Sequence, residues 1–507
     1  MEHGSHGSPP FVSRQAFLRL GALSTSTAFI TLLAACGAER TSVSSAGTAR
    51  SETTAAPAST LAAPSVAQSS SAPLAATSST SSVTARAPSS TTATSSVAPS
   101  TAVSTPASST ALPVKAAKGR VWVTYWGSPA DNKDIQAISS VFTEAPVELQ
   151  NVSGDYTGTL TTLMAAGTPP DVSMFSSAGS FDLISQGAFT DIQPLIQRDK
   201  LDMTDFVPAA LDAYRYHGGL YGLPKNFHTE SIWYNIELFH EAGVQPPGNS
   251  WTTDDYLQAA QKLTDRGKGL FGTTLPIGAE FTLAWIWLFG GDVVDNPDNV
   301  TKVTYSNPKT IEAIQWLADL RARYHVAPTT EESAAAKGDV NMFYGGFIGT
   351  YPYLYVEGRM ATLAKGFTWD VAPLPSGPGG TRGNYVNTGG WFMPKGSTNP
   401  DLGWRWMQAA TSPAGMKMDA TTGVGIPARL SVTTWPEWTA GPPSHKDVFI
   451  EQAKYSHPYP HFPGVGTVLD AAWKELTSVF VGTTTAAAAA VKADAAANAA
   501  LQKYLSH

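Results

Sequence analysis

Val121-Trp122-Val123-Thr124-Tyr125-Trp126 and, further on, Pro169-Pro170-Asp171-Val172-Ser173-Met174-Phe175 are the stretches on which the fold of this chain turns. A short run of β-branched and aromatic residues has strand character. Between the two stretches, Ile135 to Phe142 repeats apolar side chains at helical spacing, Val147 to Val152 reads as a second strand, and Tyr156 to Ala166 reads as a second helix. Strands alternating with helices imply an α/β fold built from parallel βαβ units, with helices on both faces of the sheet. The Pro-Pro-Asp turn fixes entry into the third strand, and open α/β sheets bind ligands outside the C-terminal ends of their strands. Phe175 and Ser176 therefore stand where a ligand would be met.

Towards the C-terminus, helical periodicity returns at Thr253 to Arg266, Pro308 to Tyr324, Asp401 to Thr411 and Thr467 to Val481, and the Ala-rich stretch to Leu505 has high helix propensity. Towards the N-terminus the composition changes abruptly. Residues 37–118 are almost wholly Ser, Thr, Ala, Pro and Val, too poor in large apolar surface to offset the entropy of ordering, and read as a disordered tether. Ahead of it, Arg14 and Arg19 precede an apolar stretch from Leu20 to Leu33, and Leu33-Ala34-Ala35 leads into Cys36. Residues 1–36 thus read as a bacterial lipoprotein signal, with cleavage before Cys36 and lipid on its sulfur. The start is similar to a twin-arginine export signal, with Gln15 in place of the second arginine. The expected location is extracytoplasmic, lipid-anchored to the cell membrane.

Composition excludes several function classes. A net charge of −7 without a long basic run argues against nucleic acid as a partner. Cys36 is the single cysteine, so neither an internal disulfide nor a cysteine-rich zinc cluster can form. The histidines lack His-Glu-x-x-His spacing, and neither a Gly-x-Ser-x-Gly elbow nor a Walker loop occurs. No metal and no cofactor is expected. A secreted glycoside hydrolase or lyase needs two carboxylates across a cleft; Glu230, Glu280 and Glu357 are available, and no local motif pairs them.

Three strings, in order, carry a resemblance. Ala165-Ala166-Gly167-Thr168-Pro169-Pro170-Asp171-Val172 is followed by Gln186-Gly187-Ala188-Phe189-Thr190-Asp191-Ile192. Gly219-Leu220-Tyr221-Gly222-Leu223-Pro224 leads into Trp233-Tyr234-Asn235 and closes at Ser250-Trp251. Ala372-Pro373-Leu374-Pro375 precedes Gly389-Gly390-Trp391 and Ser397-Thr398-Asn399-Pro400. Together they resemble the family 1 extracellular solute-binding proteins of ABC transporters, the group of maltose- and other oligosaccharide-binding receptors, over residues 119 to 507. The resemblance implies two discontinuous lobes joined by a hinge, with a ligand cleft between them. It divides them as 119–231 plus 386–426 and 232–385 plus 427–507. It also implies a non-enzymatic receptor, expected to be a monomer, that captures a carbohydrate by hinge closure and hands it to permease subunits. A polyamine, peptide or polyol phosphate is the alternative cargo.

A sugar needs aromatic faces for stacking and polar groups at its rim. The chain has 14 Trp residues, enough to make stacking platforms worth seeking. Trp126 ends the first strand, Trp285 precedes Phe289-Gly290-Gly291, and Trp391 follows Gly390. By resemblance, Phe175 matches an aromatic of the first lobe, His228 a polar cleft position, Glu280 with Phe281 a contact strip of the second lobe, and Phe347 or Tyr351 a further stacking position. Asn226 is either a cleft donor or a turn former. Where the family often carries charges soon after Phe175, this chain has Ser176, Ser177, Ala178 and Gly179, which leaves the identity of the sugar open.

Overall fold

In a computed structural model, which describes residues 119–505, the first strands and helices follow the order read from the sequence. Cys36 and the segments 1–36 and 37–118 lie outside the described residues. β1 (Val121–Tyr125), β2 (Val147–Asn151) and β3 (Val172–Ser176) form a parallel core in the order β2-β1-β3. The first helix runs Pro129–Ser139, six residues earlier than its apolar spacing begins, because Ser128 and Asp131 form a capping box and Pro129 opens the first turn. Asp171 explains the turn into β3. Its carboxylate accepts the backbone N–H of Trp122 at 2.9 Å and that of Asn399 at 2.8 Å, tying strand entry to the far loop.

β4 (Arg215–Tyr216) and β5 (Gly219–Leu220) make a separate hairpin. β6 (Gly222–Thr229) then enters the large sheet, and after Glu230 alone the chain continues as β7 (Ser231–Asn235) in a second sheet. That smaller sheet is completed by β8 (Phe271–Thr273), β9 (Ile348–Tyr353) and β10 (Trp369–Ala372) in the order β10-β7-β9-β8. β11 (Asn384–Phe392) returns to the large sheet, joined by β12 (Ile426–Pro427) and β13 (Ser456–Pro458). The parallel βαβ units expected at the start of the chain are present in β1, β2 and β3, and the later strands add antiparallel pairings. β11 runs antiparallel to both β3 and β6, so the large sheet is mixed. The fold is α/β with two sheets in two lobes.

The crossings between sheets are held by buried side-chain amides. Asn384 accepts the Glu230 backbone N–H at 3.1 Å and donates to the Glu230 carbonyl and to Gln452 Oε1, both at 2.8 Å. One buried polar group thus clamps two crossing strands, and leaving its partners unpaired would cost on the order of 1–3 kcal/mol each. Glu230 itself is buried at the crossing, and burial pushes its carboxyl up to about 8.

Candidate functional site

A cavity of about 670 Å³ opens between the two sheets. One wall comes from the large-sheet lobe: Trp126 beyond β1, Phe175 and Ser176 at the end of β3, Asn226 and His228 on β6, and Asn387 to Gly389 on β11. The other wall comes from the small-sheet lobe, chiefly Tyr353 at the end of β9, Leu354 to Val356 after it, and Arg359 on the helix Glu357–Leu363. Thr422 to Val424 close one rim. There the Gly358 N–H donates to the Gly423 carbonyl at 3.2 Å, a backbone bond from one lobe to the other.

Five sequence-predicted residues line this cavity: Trp126, Phe175, Ser176, Asn226 and His228. Trp126 presents its ring most fully, at 44% exposure. Phe175 offers little more than an edge, since it packs against Tyr156 at 4.9 Å and Phe189 at 5.5 Å. Ser176 caps the next helix by accepting the Gly179 N–H at 3.2 Å. His228 has its Nδ1 buried without a hydrogen-bond partner, and burial together with the Lys225 ammonium pushes the ring down to about 4. It is therefore a neutral imidazole at physiological pH, suited to exchanging hydrogen bonds rather than charge.

Phe281 and Tyr351 gather elsewhere, around a second cavity of about 300 Å³ on the small-sheet lobe. Tyr353 lines both cavities, stacks on Tyr351 at 4.9 Å and packs at a tilt against Phe281 at 5.0 Å. Glu280 lies beside them, with the Tyr385 hydroxyl donating to it at 3.2 Å; burial pushes its carboxyl up.

Four expectations are corrected. Trp391 is fully buried and packs edge-on against Trp406 at 4.7 Å, on the core side of β11. Trp285 is fully buried too, stacked on Trp316 at 5.4 Å with its Nε1 donating to Glu230 at 2.8 Å. Phe347 is a core residue. Gly390 serves packing: a Cβ there would lie 2.5 Å from the ring of Tyr214. Flanking glycines suggested an exposed loop, but in a sheet a glycine also marks the close approach of a neighbouring ring.

Lys225, itself a lining residue of the cavity, belongs to a group that sequence reasoning missed. Lys225 Nζ meets Asp134 at 2.7 Å and also bonds Asp419, with side-chain exposures of 4%, 0% and 0%. Burial alone would pull the ammonium down, but the two carboxylates hold it above its ordinary range. Burial and then Asp134 push the Asp419 carboxyl well up, against the opposing pull of Lys225. Asp134, Lys225 and Asp419 are 91 and 194 residues apart in sequence, so no local pattern could pair them. Tyr353, Tyr355, Arg359 and the 422–424 rim were missed for the same reason.

The carboxylates named as conceivable catalytic groups are each held by another side chain, although the Glu280 charge adds to burial in raising the Glu230 carboxyl. Glu230 bonds Trp285, Glu280 bonds Tyr385, and Glu357 meets Lys446 at 3.0 Å. Among the described residues, the one carboxylate lining the interlobe cavity is Asp131, engaged by the Ser128 N–H at 2.7 Å. Among the described residues, no His, Cys, Asp or Glu cluster could hold a metal ion, and no helix is long and apolar enough to cross a membrane.

A binding protein of Brucella abortus is 27% identical over 258 residues, 48% of this chain and 59% of that protein. The maltotriose-binding protein of Pyrococcus abyssi is 24% identical over 338 residues, 62% of this chain and 66% of that protein. The chain thus spans less than two thirds of these curated relatives' own lengths. Among solved structures, an ABC substrate-binding protein from Listeria monocytogenes in complex with cycloalternan superposes with a TM-score of 0.68 at 21% identity, covering 76% of this chain and 99% of that one. The family described as bacterial extracellular solute-binding protein matches residues 116–417, more than half of the sequence. With that match and a two-lobed α/β fold, the chain belongs to the bacterial extracellular solute-binding proteins, a family of binding proteins and not of enzymes.

Proposed function

We propose that this chain is the lipid-anchored substrate-binding protein of an ABC importer, which captures an oligosaccharide by hinge closure and delivers it to permease subunits in the membrane. The observation that carries the reading is the interlobe cavity of about 670 Å³ with Trp126 44% exposed at its edge and amide, imidazole and hydroxyl groups along its walls. A pyranose presents an apolar face to such a ring and hydroxyls to such a rim. The maltotriose-binding relative and the cycloalternan-bound structural neighbour support a sugar over a cationic or phosphorylated cargo. The chain acts alone as a monomer, with lobes 119–231 plus 386–426 and 232–385 plus 427–507, and Cys36 carries the lipid beyond a tether of residues 37–118.

A panel of maltotriose, cycloalternan, arabino-oligosaccharides and erythritol, followed by Trp fluorescence and thermal shift, tests the cargo. Saturable quenching by an intact sugar is expected, and silence across the panel would sink the carbohydrate reading. Trp126→Ala should weaken that binding about tenfold, roughly the 1–1.5 kcal/mol of a stacking contact, without lowering the melting temperature. Equal affinity of variant and wild type in calorimetry would remove Trp126 from the site.

Closure is a balance between open and closed states that the ligand biases through contacts made to both lobes at once. The rim bond of Gly358 to Gly423 supports this, because it joins the lobes without side chains. Gly423 has φ +65°, and a Cβ there would lie 3.1 Å from Gly358 N. Gly423→Val is therefore expected to disfavour the closed state and weaken sugar binding several-fold. In scattering, wild type should contract on saturation and the variant should contract less; equal contraction would show that the rim bond is dispensable.

A further inference from the structure

Asn226 and Lys225 are consecutive on β6, yet both side chains reach the same carboxylate. Lys225 Nζ bonds Asp419 Oδ1, and Asn226 Nδ2 donates to Asp419 Oδ2 at 3.2 Å. In a regular strand neighbouring side chains leave on opposite faces. The ladder between β6 and β11 explains the exception: Gly389 pairs with Asn226 and Gly390 with Pro224, so Lys225 is an extra residue in a bulge. Bulges of this kind re-aim side chains.

From this geometry we infer that the Lys225–Asp419–Asp134 group fixes the Asn226 carboxamide so that its Oδ1 faces the interlobe cavity as a dedicated acceptor for a hydroxyl of the ligand. The inference rests on the receptor reading above and goes further by assigning a polarity to one point of the site. Carboxylate oxygens facing Asn226 take a donor, which commits the NH2 end to Asp419. Asp134 is the second carboxylate beside Asp419. The other end of the amide is left over. Asn226 Oδ1 accepts no hydrogen bond from the described residues and is not among the sealed, unpaired atoms, so it is open to the cavity that Asn226 lines.

Two glycines make room for this orientation. A Cβ on Gly425 would lie 2.5 Å from Asn226 Nδ2, and one on Gly389 would lie 2.9 Å from Oδ1. Gly389 itself lines the cavity, so the space beside Oδ1 is open on the ligand side. An acceptor held this way favours a neutral polyol donor and disfavours a carboxylate or phosphate at that point, since an unpaired anion there would face an oxygen that cannot turn away. Asn226 is a specificity residue on this account; Lys225, Asp134 and Asp419 are positioning residues.

The test has a ligand-free arm and a ligand arm. With asparagine-selective 15N labelling of the full chain, the Asn226 NH2 signals, identified by their loss in Asn226→Ala, should exchange with solvent at least tenfold more slowly than those of exposed asparagines. Asp419→Asn should abolish the difference. Fast exchange in wild type would overturn the fixed orientation whether or not any sugar binds. In the second arm, maltotriose and its monodeoxy analogues are titrated into wild type and Asn226→Ala. Wild type should lose about tenfold in affinity for one analogue, and that penalty should vanish in Asn226→Ala; a penalty that persists would overturn the acceptor role while leaving the receptor reading intact. If maltotriose fails to bind wild type, the same cycle is run with erythritol and its deoxy analogue, and failure of both removes the acceptor role together with the cargo assignment.

Discussion

Replacing Lys225 with Met is expected to destabilise the folded body by about 3–5 kcal/mol, because it leaves two buried carboxylates without their counter-ion. Asp134 and Asp419 have no side-chain exposure to water, so solvent cannot take over from the lost ammonium. The variant has one relief, which is to bind protons. The Asp419 carboxyl, driven up in the folded state, holds a proton more tightly than in the unfolded chain, so its penalty is absent at low pH and grows as pH rises towards its folded value. The deficit of Lys225→Met relative to wild type should therefore shrink on acidification to about pH 4 and be largest at neutral pH. Denaturant melts at several pH values measure this, and a deficit that does not vary with pH would mean that lost packing, rather than stranded charge, dominates. Replacing all three residues together by apolar ones of similar size should recover much of the stability, as buried ion groups are often no better than well-packed hydrophobes. Such a triple variant would then separate folding from the orientation of Asn226.

Trp391→Ala should cost a further large amount, about 3–5 kcal/mol, through loss of buried apolar surface and the cavity left against Trp406. For a body of this size, unfolding entropy makes that roughly a 5 °C fall in melting temperature. This reverses the behaviour expected of a ligand-stacking residue, which would lose affinity and keep its stability. Scanning calorimetry with sugar titration distinguishes the two. An unchanged melting temperature together with lost binding would return Trp391 to the cleft, in conflict with its complete burial. Trp126→Ala is the natural control, because Trp126 is 44% exposed and has little packing to lose.

The two tryptophans show where a reading of sequence stops. Both sit at a strand end or beside glycine, and local context treats them alike. Trp126 lies past the last residue of β1 and faces the cavity, whereas Trp391 lies inside β11, whose pairing with β3 and β6 turns its ring into the core. Side-chain direction in a strand has a period of two, so one residue of register decides between ligand and core. Register is set by partner strands far away in sequence. The same holds for Gly390, where the ring of Tyr214 determined the residue, and for Phe281 and Tyr351, which were expected in the main cleft and meet at a neighbouring cavity instead.

What the sequence determined by itself was everything carried by local pattern: the strand and helix order from Val121 to Ser176, the long helices, the α/β class, and the ordered strings that mark the family. These follow from propensity, periodicity and turn chemistry, which act over a few residues. Tertiary structure alone decided the mixed sense of the large sheet, the burial of Trp285 and Trp391, and the grouping of Asp134, Lys225 and Asp419 beneath Asn226. Those outcomes depend on which distant segments pack together, and burial, charge pairing and strand register exist only once they do.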